Sequence, residues 1–351
     1  MTDATQPILN FYLPYHLDGI ADLPRSIEEY WDWVCKNSSN GEGKYSWTLQ
    51  TYLYLKESGV PCRIATQLPG TGIVISHRDF LPSTLIPNPN LFLVCIKPDR
   101  KPHTWANYYI LQSSYDPITR KLRNNQYQVT PSWPQPSLKP RTVSESRVKH
   151  IAFFGRTNNL ATELNTDEWV SKLKKLGFNW MVIPMTEWDD YSDIDVTVSI
   201  RGWNEILHSN ARDTVFDWNV KPPAKLTNSW LAKVPAIVGD EKVFLDTGEE
   251  GQDFLVARDS EDLIKKLLTL RSDPGLYNRL QVNGLAKAYN YSPEKLIDDW
   301  RTLFEKTLLP EYRSWMERPY ITRSMVNWWK CLSFFIKPKN ILDPIKGLLR
   351  G

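Results

Sequence analysis

The chain has 351 residues, 41% of them hydrophobic, and a formal net charge of +3. A single core stops growing at roughly 250–300 residues, so two domains are expected. The small charge and the lack of zinc-finger or RNA-binding signatures exclude a nucleic-acid partner, while four scattered cysteines (Cys35, Cys62, Cys95, Cys331) argue against a disulfide scaffold or zinc site and for a reducing, cytoplasmic location.

Residues 9–13 read as a short strand and 26–36 as a helix, with Ser26 at the N-cap and Glu29 at the capping-box position. Ser46 is the expected cap of a second helix over 47–58, closed by Gly59. Strands follow at 61–68, 72–76, 91–96 and 108–112. Short, continuously apolar strands separated by helices predict a parallel sheet covered on both faces. The prolines and serines of 130–147 break this alternation and predict an interdomain linker. Strands are then expected at 150–154, 179–184 and 195–200, with a helix over 167–176 capped by Thr166. The unit 221–238 reads as a helix opened by Pro222 and Pro223, followed at once by a buried strand. A strand at 253–257, an amphipathic helix at 260–270 and helices at 274–289 and 293–308 complete the second half. The end, 314–351, reads as helical, aromatic and basic. The expected organisation is an α/β chain with domains at 1–140 and 141–308 and a tail at 309–351.

Lys221 and Lys225 stand at the start of the helix in 221–238, beside its unpaired N–H groups, a combination that holds anions such as a diphosphate; solvated lysines on an amphipathic helix give the same pattern. Gly155 and Arg156 end the strand that opens the second half, and Arg201 ends a neighbouring one. Binding loops of parallel sheets lie at strand carboxyl ends, so the two arginines are expected to converge on one crevice. His16 follows the first strand and His77 the third, each placed to activate or orient an acceptor hydroxyl. Asp193 and Asp195 form an Asp-x-Asp in an acidic loop that reads as solvated. No glycine-rich dinucleotide fingerprint, P-loop or nucleophile elbow occurs, which disfavours oxidoreductases, NTPases and α/β-hydrolases. The histidines show no metal-ligand spacing, and no metal is expected.

Several segments resemble a bacterial group of GT-B glycosyltransferases: Tyr-Ser-Trp-Thr-Leu-Gln-Thr-Tyr-Leu-Tyr-Leu-Lys at 45–56, Gly-Ile-Val-Ile-Ser-His-Arg-Asp-Phe-Leu at 72–81, Ser-Trp-Pro-Gln-Pro-Ser-Leu-Lys-Pro-Arg at 132–141, Ile-Ala-Phe-Phe-Gly-Arg at 151–156, and 221–238. The resemblance spans about residues 10–310. It implies the GT-B fold, two Rossmann-like domains around a cleft, with a nucleotide sugar as donor substrate and no cofactor. Arg156 and Lys225 match the basic residues that hold the donor diphosphate, Asn228 would touch the ribose, and Glu241 the ribose or donor sugar. Two glutamates that many retaining members carry are Val220 and Asn228 here, and a usual glycine is Lys233. The expected activity is transfer to a glycan or lipid-linked acceptor in cell-envelope or exopolysaccharide synthesis. A GT-B-like scaffold without catalysis and a nucleotide-sugar epimerase are the alternatives.

The resemblance also implies a terminal helix crossing back to the first domain. Beyond it, 325–350 interleaves Trp328, Trp329, Phe334 and Phe335 with Lys330, Lys337, Lys339, Lys346 and Arg350. Such a segment suits an anionic membrane surface or the protein's own body.

Overall fold

Two all-parallel sheets organise the chain in a computed structural model that describes residues 7–37, 42–82, 85–142, 148–203 and 220–335. The first sheet has the order β2-β1-β3-β4-β5-β6, from β1 (Leu9–Tyr12), β2 (Cys62–Ala65), β3 (Gly72–His77), β4 (Leu91–Ile96), β5 (Tyr108–Leu111) and β6 (Tyr127–Val129). The second has the order β11-β10-β9-β7-β8, from β7 (His150–Phe154), β8 (Asn179–Ile183), β9 (Val196–Ser199), β10 (Ala236–Val238) and β11 (Leu255–Val256). Every residue of β4 (Leu-Phe-Leu-Val-Cys-Ile) is buried, as a parallel strand covered on both faces requires. Strand β6 was hidden in the sequence by its polar Tyr-Gln-Val composition.

Helix α1 (Ile27–Asn37) buries Tyr30, Trp31 and Val34. Helices α2 (Glu42–Tyr45) and α3 (Thr51–Glu57) run on through a π-turn at Ser46–Gln50. The expected cap at Ser46 is therefore wrong: it lies inside the helix, where its hydroxyl bonds the Gln50 side chain at 3.0 Å. The linker is also tied down at its start. Trp133 stacks on Tyr54 with ring centroids 4.4 Å apart and donates its indole N–H to Thr51 Oγ1 at 2.7 Å. Residues 143–147 of the expected linker lie outside the described residues.

In the second domain α4 (Asp167–Lys175) carries the Thr166 cap as expected. Helices α5 (Ala224–Leu231), α6 (Lys242–Leu245), α7 (Ser260–Ser272) and α8 (Pro274–Ala288) follow. Trp230 of α5 packs so tightly on α8 that a Cβ on Gly284 would stand 2.3 Å from its ring. Lys233, just past α5, adopts φ +59°, the left-handed conformation that explains why a glycine is usual there. The acidic loop is not simply solvated: Asp195 is buried, pairs with Arg141 at 2.7 Å and accepts the backbone N–H groups of Lys149 and His150.

The chain returns to the first domain earlier than expected. Helix α9 (Pro293–Leu303) places Leu296, Trp300 and Leu303 in the same core as Leu9, Phe11 and Leu55. The boundary expected at 308 thus falls near 293, because the apolar face of α9 completes the first sheet's core and not the second's. After a π-turn at Phe304–Leu308, α10 (Leu309–Glu317) and α11 (Tyr320–Phe335) continue along that domain, with Trp315 donating to the Pro89 carbonyl at 2.9 Å. Residues 336–351 of the tail lie outside the described residues.

Candidate functional site

Each sheet has one switch point, where successive crossovers leave a strand in opposite directions and open a crevice at the carboxyl ends. In the second sheet it lies between β7 and β9, which end in Gly155 and in Ile200-Arg201. Helix α5 brings Lys225 to the same place. Its ammonium lies 5.4 Å from the centre of the Phe153 ring, and a Cβ on Gly155 would come within 2.7 Å of Lys225 Cε. The glycine therefore makes room for the lysine. Burial, reinforced by the charge of Arg201, pulls the Lys225 ammonium down to about 7. Among the described residues no carboxylate lies within ion-pair distance of it.

Arg201 does have a carboxylate, Glu241, in an ion pair with side chains 7% and 2% exposed. Burial raises the Glu241 carboxyl, and the charges of Arg201 and Lys225 oppose that rise. Glu241 Oε1 and Arg201 Nε are buried without a hydrogen-bond partner among the described residues. Buried groups left unsatisfied in this way call for a specific reason, of which a bound ligand is one. The crevice thus holds two cations against one carboxylate, an environment suited to an anion with hydroxyls beside it.

The first sheet's switch point lies between β1 and β3, and there a cavity of about 520 Å³ opens. Loops after β1, β3, β4 and β5 supply Asp18, His77, Asp79, Asp99, Arg100 and Gln112 to its wall, and the helix around the π-turn supplies Lys44, Tyr45 and Trp47. Lys221 and Pro222 of the second domain close it, so the cavity spans the two domains. Lys221 forms an ion pair with Asp99, and the Gln112 amide donates to the Val220 carbonyl.

His77 is buried, and burial lowers its imidazole to about 4, so the ring is neutral near pH 7. Its Nδ1 accepts the Asp79 backbone N–H at 3.1 Å, which places the ring proton on Nε2. With Nδ1 so occupied, the remaining ring position is an N–H donor. His16 is exposed and does not line the cavity; Asp18, two residues on, does. Asn228 is occupied elsewhere: its Oδ1 accepts the Gln135 backbone N–H at 3.0 Å and it bonds the Tyr191 hydroxyl, which ties the linker to α5. Arg156 lines a separate cavity of about 570 Å³ with Gly155, Met185 and Trp188, and neither Arg201 nor Lys225 belongs to its walls.

Sequence reasoning missed Asp18, Lys44 and Tyr45. Lys44 and Tyr45 were hidden by starting the helix at Ser46. In the loop after β1 it is the aspartate, not the histidine, that reaches the cavity.

No family model and no curated protein matches the sequence. Solved structures do. Sucrose-phosphate synthase from Thermosynechococcus elongatus superposes with a TM-score of 0.53 at 12% identity, over 86% of this chain and 98% of that one. HepE from Anabaena in complex with UDP-glucose gives a TM-score of 0.49 at 10% identity, over 86% and 100%. TarM gives 0.47 at 11% identity over 73% of this chain, which spans 58% of TarM. The likeness shows the fold, GT-B, in agreement with the two parallel sheets.

Proposed function

We propose that this chain, a GT-B fold, is a glycosyltransferase that draws a sugar from a nucleotide-sugar donor in the second domain and delivers it to an acceptor in the first. The supporting observation is the pairing of two unlike sites at the two switch points. A cationic crevice around Lys225, Arg201 and Glu241 lies on one side, a cavity lined by paired carboxylates and cations on the other, and Lys221–Asp99 joins them. Arg201, Lys225 and Lys221 neutralise the departing diphosphate, which makes the transfer metal-independent. The open Oε1 of Glu241 accepts a hydroxyl of the donor.

In the transfer, an acceptor oxygen bonds the anomeric carbon while that carbon's bond to the phosphate oxygen breaks. The electron pair leaves with the nucleoside diphosphate. Asp99 stands at the junction and takes the acceptor's proton. Burial pushes its carboxyl up, and Lys221 more than offsets this. When the diphosphate draws Lys221 away, Asp99 becomes the stronger base. His77 orients the acceptor hydroxyl from Nε2.

The acceptor is a glycan or a lipid-linked glycan of an envelope or exopolysaccharide route, met at a membrane surface from the cytoplasmic side. Exposed Ile321, Met325, Trp328 and Trp329 on α11 support this contact. No helix among the described residues is long and apolar enough to cross a membrane.

Thermal stabilisation by UDP, GDP, ADP, CMP and dTDP tests the reading. One nucleotide is expected to raise the Tm of the wild type and to leave Lys225→Ala and Arg201→Ala unmoved. No shift with any of them would favour the scaffold reading, which the diversion of Asn228 to the linker supports.

A further inference from the structure

The cavity at the first sheet's switch point carries its charges in closed pairs. Asp18 binds Lys44 at 2.6 Å and also accepts the Tyr45 hydroxyl; Asp79 binds Arg100 at 2.9 Å; Asp99 binds Lys221. Three carboxylates thus stand against three cations, and all six line the cavity. A phosphate or carboxylate entering beside Asp18–Lys44 or Asp79–Arg100 would have to break that pair and set its charge against a carboxylate. A neutral polyhydroxyl ring would not. Its hydroxyls can donate to carboxylate oxygens and accept from ammonium or guanidinium groups with every pair intact.

Asp18 has the oxygen to spare. Both of its bonds fall on Oδ2, and Oδ1 has no partner among the described residues. Its side chain keeps 35% of its exposure. Tyr45 and Trp47 also line the cavity, both buried. A volume of about 520 Å³ falls in the range of small-molecule sites.

We infer that this cavity receives an uncharged glycosyl unit, held by Asp18 and Lys44, as the accepting end of the acceptor, and that it discriminates against sugar phosphates. This rests on the proposed transfer only for the word acceptor; the binding preference stands on the cavity alone.

Saturation-transfer NMR on the full chain, with methyl hexosides and the matching hexose 6-phosphates as probes, tests the inference without a donor. At least one methyl hexoside is expected to bind, at least tenfold more tightly than its 6-phosphate. Asp18→Asn should weaken it about tenfold, as should Lys44→Ala, whose Tm shows whether a loss reflects misfolding. Lys225→Ala, in the other domain's crevice, should leave it unchanged. Tighter binding of the 6-phosphate, an undiminished hexoside signal in folded Asp18→Asn, or no hexoside binding would each overturn it. Hexoside binding without any nucleotide shift would sink the transferase reading and leave this inference standing.

Discussion

A methyl group on Gly155 would come within 2.7 Å of Lys225 Cε and 2.9 Å of Phe153 Cζ. The lysine of α5 and the glycine that ends β7 therefore occupy one space, and the site exists only because the second residue has no side chain. Gly155→Ala is expected to push the ammonium out of the crevice, since Phe153 is fully buried and cannot yield. Overpacking of this kind costs about 1–3 kcal/mol of stability. Nucleotide affinity should fall at least tenfold more than in Asn158→Ala, a change to an exposed residue nearby. Equal affinities by calorimetry would show that Lys225 does not contact the diphosphate.

The low pKa of Lys225 gives a second test, with a definite sign. Free in the crevice, the ammonium loses its proton near 7, against 10.5 ordinarily. A bound diphosphate restores the ordinary value, so the complex takes up a proton between those limits. Nucleotide Kd is therefore expected to rise as pH rises above about 7, at up to tenfold per unit. The free protein should behave oppositely. Its folded lysine binds fewer protons than the unfolded one over that window, so stability rises as pH rises from about 7 toward 10.5. Lys225→Met should flatten both profiles.

Much of the fold was legible because its signals are local. The apolar runs of β4 and β7, the Thr166 cap and the Pro-Pro start before α5 each announce themselves within a few residues. The crevice at the second sheet's switch point was legible in the same way, since strand ends and the start of α5 carry Gly155, Arg201 and Lys225. What was not legible depends on distance in the chain. The return of α9 to the first core rests on contacts of Trp300 with residues near the N-terminus, and amphipathicity alone does not say which sheet a helix covers. Asn228 was read as a ligand contact because nothing in the sequence shows Gln135 arriving to claim its amide oxygen. The pairing of Asp99 with Lys221 spans the two domains and is equally silent in the sequence.

Arg201 and Glu241 form a buried pair in which each group retains an unsatisfied atom. Removing one charge strands the other, at a cost of about 3–5 kcal/mol, whereas replacing both by apolar groups is often near neutral. Glu241→Leu is thus expected to unfold at much lower denaturant than Arg201→Met/Glu241→Leu. Both should lose nucleotide binding. If the double variant is as unstable as the single one, the pair is not the electrostatic unit described.

The exposed face of α11 makes the last prediction. Ile321, Met325, Trp328 and Trp329 are 72%, 66%, 57% and 71% exposed, and their spacing of four, three and one residues sets them along one side of the helix. The opposite side is anchored to the first domain, where Arg323 bonds Asn90 at 2.8 Å. From residue 336 onward the sequence has four basic residues and one acidic one, Asp343. Apolar side chains at helical spacing with a basic excess favour the headgroup region of an anionic bilayer. Burial of a large apolar side chain contributes about 1.5–3 kcal/mol. Trp328→Ala/Trp329→Ala should therefore reduce co-sedimentation with phosphatidylglycerol vesicles at least tenfold, with little change in Tm. The wild type should bind phosphatidylcholine vesicles far more weakly. Equal binding to both lipids, or an undiminished double variant, would assign the stripe to a protein partner.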